Sequence, residues 1–451
     1  MSADRDPTRS SSEKHPIMGK RTLLSTGHVF LPDEAASERD EARVAESLST
    51  FDPHDWDSVR GQFSLAGEYA YFAAFMLASH PIPVQNAIVS FRHGLDNFPE
   101  RFQMGVADLE HATRAREAIA RYTGTAPGQV ALTDSTTMGL GLVYRGLRLR
   151  PGDEVLTTTH DFFSTFEALR LRAAADGAEV RRITLYEDPA AVSADQLVDR
   201  LRQAIGDRTR ALALTWVHSN SGVMLPIRAV ADLVAEVNAD RDEDARVLLC
   251  VDGVQGFGVE DVDVAALGVD FFITGTHKWL FGPRGTGFVW GADHAWARLD
   301  ATIPSFSFPA FTGWHTAEAP RGEPGVLHTP GGYHSFENRW ALPVAFEFHE
   351  AIGRARIAER VKVQAAQLKE GLAGLPHVRL LTPRAEDLSS GLVCCRVDGM
   401  REDEVTNRLL TEHRISAGVS PHRDTCVRLG PSIVTTPDEV DRLVRAVASL
   451  R

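Results

Sequence analysis

Between residues 129 and 290, apolar positions fall into short unbroken runs separated by segments of helical period. The runs at 129–133, 154–159, 180–185, 211–217, 247–252 and 271–274 predict strands. The segments at 136–148, 165–176, 194–206 and 227–239 repeat their apolar residues at helical spacing. Continuous apolar strands alternating with helices predict a mainly parallel sheet covered on both faces. On such a sheet, ligands collect at the carboxyl ends of the strands. Beyond about residue 340 the pattern changes to a long helical stretch (340–374), an apolar run (391–397), a helix (402–413), short strands near 415–418 and 426–429, and a last helix (437–450). That order predicts a smaller α+β domain. The expected organisation is a polar, disordered extension over 1–48, an N-terminal segment over 49–90 packing with the small domain, a large domain over 91–335 and the small domain over 336–451.

A chain of 451 residues, 43% apolar and 24% charged, has the composition of a globular protein with a sizeable core. Its net charge of −13 comes with no long Lys/Arg run, which argues against nucleic acid or an anionic membrane as partner. No apolar run approaches the ~20 residues of a membrane span. The stretch 20–24 has a lysine–arginine pair, but no hydrophobic region follows it, so it is not taken as an export signal. The four cysteines show neither CxxC nor metal-ligand spacing. Cys250, Cys394 and Cys395 lie in apolar runs suited to core packing, and this usage predicts a reducing, cytoplasmic setting and no metal.

The chemistry concentrates in 274–290. Here Thr274-Gly275-Thr276-His277-Lys278-Trp279-Leu280-Phe281 runs into a glycine-rich hairpin. Lys278, flanked by apolar runs, suits a desolvated pocket in which its amine becomes neutral and nucleophilic. Asp252, in Val251-Asp252-Gly253-Val254-Gln255, ends the preceding strand. An acid at one strand end and a lysine beyond the next make a pairing suited to pyridoxal phosphate: the lysine condenses with the aldehyde and the acid keeps the pyridine nitrogen protonated. An Asp capping the turn through Gly253 is the structural alternative. Gln255 is near enough in sequence to reach the same ring. Asp134-Ser135-Thr136-Thr137-Met138-Gly139 follows the first strand and opens a helix. Such a start offers hydroxyls and free amides to a phosphate, although Ser and Thr also serve as plain helix caps.

These motifs in this order, with Gly282-Pro283-Arg284-Gly285-Thr286-Gly287, resemble the class V aminotransferase family of fold-type I pyridoxal-phosphate enzymes over roughly residues 60–450. Cysteine desulfurases, isopenicillin N epimerases, kynureninases and cysteine lyases share it. The His277-Lys278-Trp279-Leu280 form is most similar to the isopenicillin-N-epimerase-like and cysteine-lyase-like branch. The resemblance implies an α/β fold with a mainly parallel seven-stranded sheet, a smaller α+β C-terminal domain and a homodimer. It makes Lys278 the Schiff-base lysine and pairs Asp252 with the pyridine nitrogen. Gln255 and Ser219 then lie near the phenolic oxygen, and Thr136 and Thr137 hold the phosphate, assisted by Thr276 and His277. Phe162 or His160 stacks on the ring, with Phe162 preferred. Arg428, in Val427-Arg428-Leu429-Gly430-Pro431-Ser432, grips the substrate α-carboxylate, for which a guanidinium fork is suited.

Two departures from the family stand out. Gly332 occupies the place of a threonine that contacts the partner's phosphate, with Tyr333 or His334 as substitutes. After Ala417-Gly418 the chain continues Val419-Ser420-Pro421-His422, without the cysteine that desulfurases carry there. The expectation is a lyase that eliminates the β-substituent of a cysteine-derived or other β-substituted amino acid in specialised metabolism. Transamination, epimerisation and oxygen-dependent decarboxylating deamination are the alternatives on the same scaffold. A non-catalytic regulator is disfavoured by the intact set of Lys278, Asp252 and Arg428.

Overall fold

The computed structural model describes residues 46, 48–49, 51–100 and 106–450, so the extension expected over 1–48 lies almost wholly outside the described residues. After a first two-residue strand, β1 (Ala70–Tyr71), the middle of the chain builds one seven-stranded sheet. Its strands are β2 (Val130–Thr133), β3 (Glu154–Thr158), β4 (Glu179–Ile183), β5 (Thr209–Thr215), β6 (Leu248–Asp252), β7 (Phe271–Gly275) and β8 (Gly287–Gly291), in the spatial order β2-β8-β7-β6-β5-β3-β4. Neighbours from β7 to β4 pair in parallel, and β8 runs antiparallel to both β2 and β7. The expected α/β class with a mainly parallel seven-stranded sheet is therefore what the chain adopts. Alternate residues explain the unbroken apolar runs. Leu212, Leu249, Val251 and Phe272 pack on one face, and Ala211, Ala213, Cys250 and Ile273 on the other.

Helices connect the strands where the 3.6-residue period predicted them: Thr136–Gly146, Phe163–Asp176, Ala194–Ala204 and Ile227–Asn238. Two readings of the pattern change. The stretch 340–374 is broken at Gly353, whose φ of +96° stops one helix, Leu342–Ile352, before Arg354–Ala373 begins. The glycine-rich hairpin closes on β8, which a propensity reading passes over. Gly287 faces β7 so closely that a Cβ there would come within 2.6 Å of the Thr274 carbonyl oxygen.

The C-terminal region forms β9 (Val378–Leu380), β10 (Val393–Val397), β11 (Ile415–Ser416), β12 (Gly418–Val419) and β13 (Val427–Leu429). The antiparallel sheet β12-β13-β10-β9 has its own core, to which helices Arg354–Ala373, Glu402–His413 and Pro437–Ser449 contribute Leu368, Leu409 and Leu443. β1 pairs in parallel with β11, and Arg60 bonds Glu439 through both carboxylate oxygens, so the N-terminal segment is tied to this region. Among the described residues, no helix is long and apolar enough to cross a membrane.

The helix Thr136–Gly146 lies tight on the sheet. A Cβ on Gly139 would come within 2.6 Å of Ile273 Cγ2, whereas one on Gly141 meets nothing within 4 Å. Gly139→Ala is therefore expected to destabilise the protein by about 1–3 kcal/mol through overpacking. Gly141→Ala, gaining only helix propensity, should stabilise it by about 0.5–1 kcal/mol. Denaturation midpoints that move in the same direction for both variants would refute this packing.

Candidate active site

The carboxyl ends of β2, β3, β5, β6 and β7 deliver Thr136, His160, Ser219, Asp252 and Lys278 to one edge of the large sheet. Asp252, 2% exposed, ends β6, and its Oδ1 accepts from the Val254 amide at 3.1 Å. Burial raises its carboxyl to about 6, against the lowering effects of that amide and the Lys278 charge. Lys278 lies three residues beyond the adjacent parallel strand β7. Burial, chiefly, brings its amine down to about 8; the Asp252 carboxylate supports its charge and Arg428 opposes it. The cleft thus holds an amine that can be neutral near physiological pH and an acid whose charge needs a cationic partner.

At the end of β2, Ser135 caps the helix by accepting from the Met138 amide at 3.1 Å. Thr137 bonds Ser164 at 2.9 Å, while the buried Thr136 hydroxyl has no partner among the described residues. A Cβ on Gly275 would come within about 3.0 Å of both Thr136 Oγ1 and His277, so these groups converge at the helix start. Thr276, expected beside them, is committed to its own hairpin: its amide and hydroxyl both bond Thr286. Burial first, and then Lys278 and Arg284, hold His277 at about 4.

Both ring candidates follow β3. His160 stacks on Tyr186 at 3.8 Å between centroids, and its Nε2 accepts from the Leu185 amide. Phe162 instead meets His422 edge-on at 5.7 Å. Asp161, between them, accepts from Thr157, Thr158 and the Thr215 amide and so fixes this turn.

Gln255 is clamped, donating to the Phe75 carbonyl at 3.2 Å and accepting from the Trp279 indole at 3.0 Å. Ser219 bonds His422 Nε2 at 2.8 Å. Arg428, 6% exposed, lies 4.6 Å above the Phe75 ring and donates to the Val419 carbonyl, and its Nε has no partner among the described residues. Among the described residues no carboxylate pairs with it. A buried guanidinium without an anion is costly, and a bound carboxylate would complete it. Trp279 and His422 are site residues that the sequence does not point to, because each is placed by a contact with a separate segment, Trp279 with Gln255 and His422 with Ser219. Gly332, where the family has threonine, sits at φ +103°, a conformation in which a threonine would be strained. Tyr333 beside it is 83% exposed, and His334 bonds back to the Gly332 carbonyl.

The folded protein holds the Asp252 proton more tightly than the unfolded chain, about 6 against an ordinary 3.8. The carboxyl therefore costs stability progressively as pH rises through that window. Asp252→Asn in the ligand-free protein is expected to add about 3 kcal/mol at pH 8 and roughly half of that at pH 5. Urea unfolding at the two pH values measures it; a pH-independent difference would show that Asp252 is charged throughout.

A family model described as Aminotransferase class-V matches residues 80–443. The isopenicillin N epimerase of Streptomyces clavuligerus is 28% identical over 408 residues, covering 88% of this chain and 98% of that one. A cysteine desulfurase of Cronobacter sakazakii is 27% identical over 83% of this chain and 91% of its own length. Among solved structures, the cystine C-S lyase C-DES in complex with cysteine persulfide superposes with a TM-score of 0.76 at 22% identity, covering 85% of this chain and 98% of that one. The apo cysteine desulfurase of Thermococcus onnurineus NA1 gives 0.73 at 19% identity, covering 87% and 97%. The match to the family model over most of the length, on a sheet that carries an acid and a lysine at adjacent strand ends, means that the chain belongs to the class V aminotransferase family of pyridoxal-phosphate-dependent enzymes.

Proposed function

We propose that this enzyme is a lyase that removes the β-substituent of a cysteine-derived or other β-substituted amino acid. The observation that carries the reading is the placement of Lys278 beyond β7, next to the strand that Asp252 ends, where burial lowers its amine to about 8. Burial keeps His160 at about 3 and His277 and His422 at about 4, so none of these supplies a second proton at neutral pH. Elimination needs one base at Cα and a group that departs with its own electron pair. The cysteine of the β12–β13 turn, Cys426, closes it against β13 and is fully buried with its thiol on the Asn220 carbonyl, which does not suit persulfide formation.

The residues fit pyridoxal phosphate. The partnerless Thr136 hydroxyl and the helix start suit its phosphate, with Thr137 and His277 alongside. Asp252, raised by burial, suits the protonated pyridine nitrogen, which would return it to its charged form. Ser219 and Gln255 would lie near the cofactor's phenolic oxygen, and His160 or Phe162 would stack on its ring. When bound, the cofactor supplies an aldehyde carbon and a ring that draws electrons from substrate Cα. Lys278 takes the Cα proton, Arg428 holds the α-carboxylate, and the clamped Gln255 keeps Phe75 beneath that guanidinium. Epimerisation is the second reading, favoured by relatives of that name over 88% of the chain. Four buried free thiols suit a reducing cytoplasm, and specialised metabolism suits the epimerase relatives.

Incubation with S-substituted cysteines is expected to release pyruvate and ammonia. Loss of optical activity without pyruvate would replace elimination with epimerisation, and a keto acid retaining the substituent or oxygen uptake would point to the other chemistries. Arg428→Lys should raise KM roughly tenfold to a hundredfold, because a lysine loses the two-pronged grip worth about 1.5–3 kcal/mol. Cofactor absorbance should not move. An unchanged KM would place the carboxylate elsewhere.

The segment 303–334 exposes Phe306 (57%), Phe308 (60%), Trp314 (74%) and Tyr333 (83%) beside the Gly331–Gly332 loop, an apolar surface suited to a second copy of the chain. Light scattering should show a homodimer, and Phe308→Glu with Trp314→Glu should shift it towards monomer with at least a tenfold loss of activity, since separating the copies opens the neighbouring site. An active monomer excludes this arrangement.

A further inference from the structure

We propose that His422 is a further catalytic residue of this site, donating a hydrogen bond from its imidazole Nδ1 to the group that leaves substrate Cβ. This rests on the lyase reading above. His422 lies in the turn between β12 and β13 and reaches across to the strand ends of the large sheet. Its Nε2 is 2.8 Å from Ser219 Oγ beyond β5, and its ring edge meets Phe162 beyond β3. The turn is pinned at its base. The Cys426 amide bonds Ser420 Oγ at 3.1 Å, and Cys426 Sγ lies 3.2 Å from the Asn220 carbonyl. Nδ1 makes no hydrogen bond among the described residues.

The groups around His422 keep it uncharged. Burial and Arg428, from β13, lower it, Asp161 opposes them, and His160 and His218 are themselves neutral. A neutral imidazole has one N–H. Placing that hydrogen on Nδ1, the atom left open to a ligand, makes the Ser219 hydroxyl the donor to Nε2. Arg428 donates to the Val419 carbonyl, three residues before His422, so a carboxylate held by Arg428 lies at the base of the turn that carries the imidazole. Lys278 then takes the Cα proton, and the electron pair it leaves forms the Cα–Cβ double bond. The Cβ–S bond breaks with its pair going to sulfur. The Nδ1–H stabilises the charge growing there without transferring its proton, and the thiolate takes one from water after it departs. A donor aimed at developing charge acts most on poor leaving groups.

The test compares S-ethyl-L-cysteine, whose thiolate leaves poorly, with β-chloro-L-alanine, whose chloride leaves readily, in single turnovers of the holoenzyme. His422→Phe should slow the S-ethyl substrate roughly tenfold to a hundredfold and the chloro substrate less than about threefold. His422→Asn, which restores an N–H near Nδ1, should recover most of the loss. Calorimetric affinity for L-alanine, which has nothing to expel, should stay within about threefold of wild type, because His422 acts on the departing group rather than on the carboxylate. Equal slowing of both substrates, or none of either, overturns the proposal. If the Phe variant does not fold, His422→Leu is expected to give the same pattern and decides in the same way. A wild-type enzyme that releases pyruvate from neither substrate removes the lyase reading and this proposal with it, whereas wild-type turnover with equal variant losses removes the proposal alone.

Discussion

Asp252 and Arg428 lie buried and Lys278 half-buried in one cleft, and only Asp252 and Lys278 answer each other. Burial penalises each charged form, so the acid is raised and the amine lowered towards a common neutral range. Arg428 stays cationic because a guanidinium cannot give up its proton at accessible pH, and it rests on the Phe75 ring and one carbonyl. The protein thus carries electrostatic demand that a zwitterionic substrate and an anionic, pyridinium-bearing cofactor are suited to meet. The stability that burying these groups costs becomes selectivity for what enters the cleft.

The two sheets are locked together around this demand. Thr382, next to β9, donates to the Ser221 carbonyl at 2.8 Å, Cys426 meets Asn220, and His422 meets Ser219, so the loop after β5 is held at three successive positions. From the other side, Phe75 joins Gln255 of the large sheet to Arg428 of the small one. Lys278 and Arg428 therefore sit on separate sheets but share one wall. Their spacing depends on side-chain contacts between the sheets rather than on either sheet alone.

Much of this was legible in the chain itself. Unbroken apolar runs require both faces of a sheet to be covered, and helical spacing between them requires crossovers, which together fix a mainly parallel α/β arrangement. The motif around Lys278 and the acid at the end of β6 needed only local reading, since adjacent parallel strands bring their carboxyl ends to one edge. Glycine hid β8, because the residue that allows Gly287 to approach Thr274 also lowers the strand signal. A single positive-φ glycine, Gly353, divided what periodicity joined.

The sequence by itself determined which residues bring chemistry and which strand ends carry them, because those depend on local period and neighbouring residue types. Only the tertiary structure decided what each group touches. Gln255 meets Phe75 across 180 positions, and Ser219 meets His422 across 203. The Thr276 hydroxyl turns into its own hairpin, while that of Thr136 has no partner among the described residues. Periodicity states how a residue faces its own element. Whether a buried polar atom is satisfied depends on which distant segment packs against it, and that is settled only when the two sheets close on one another.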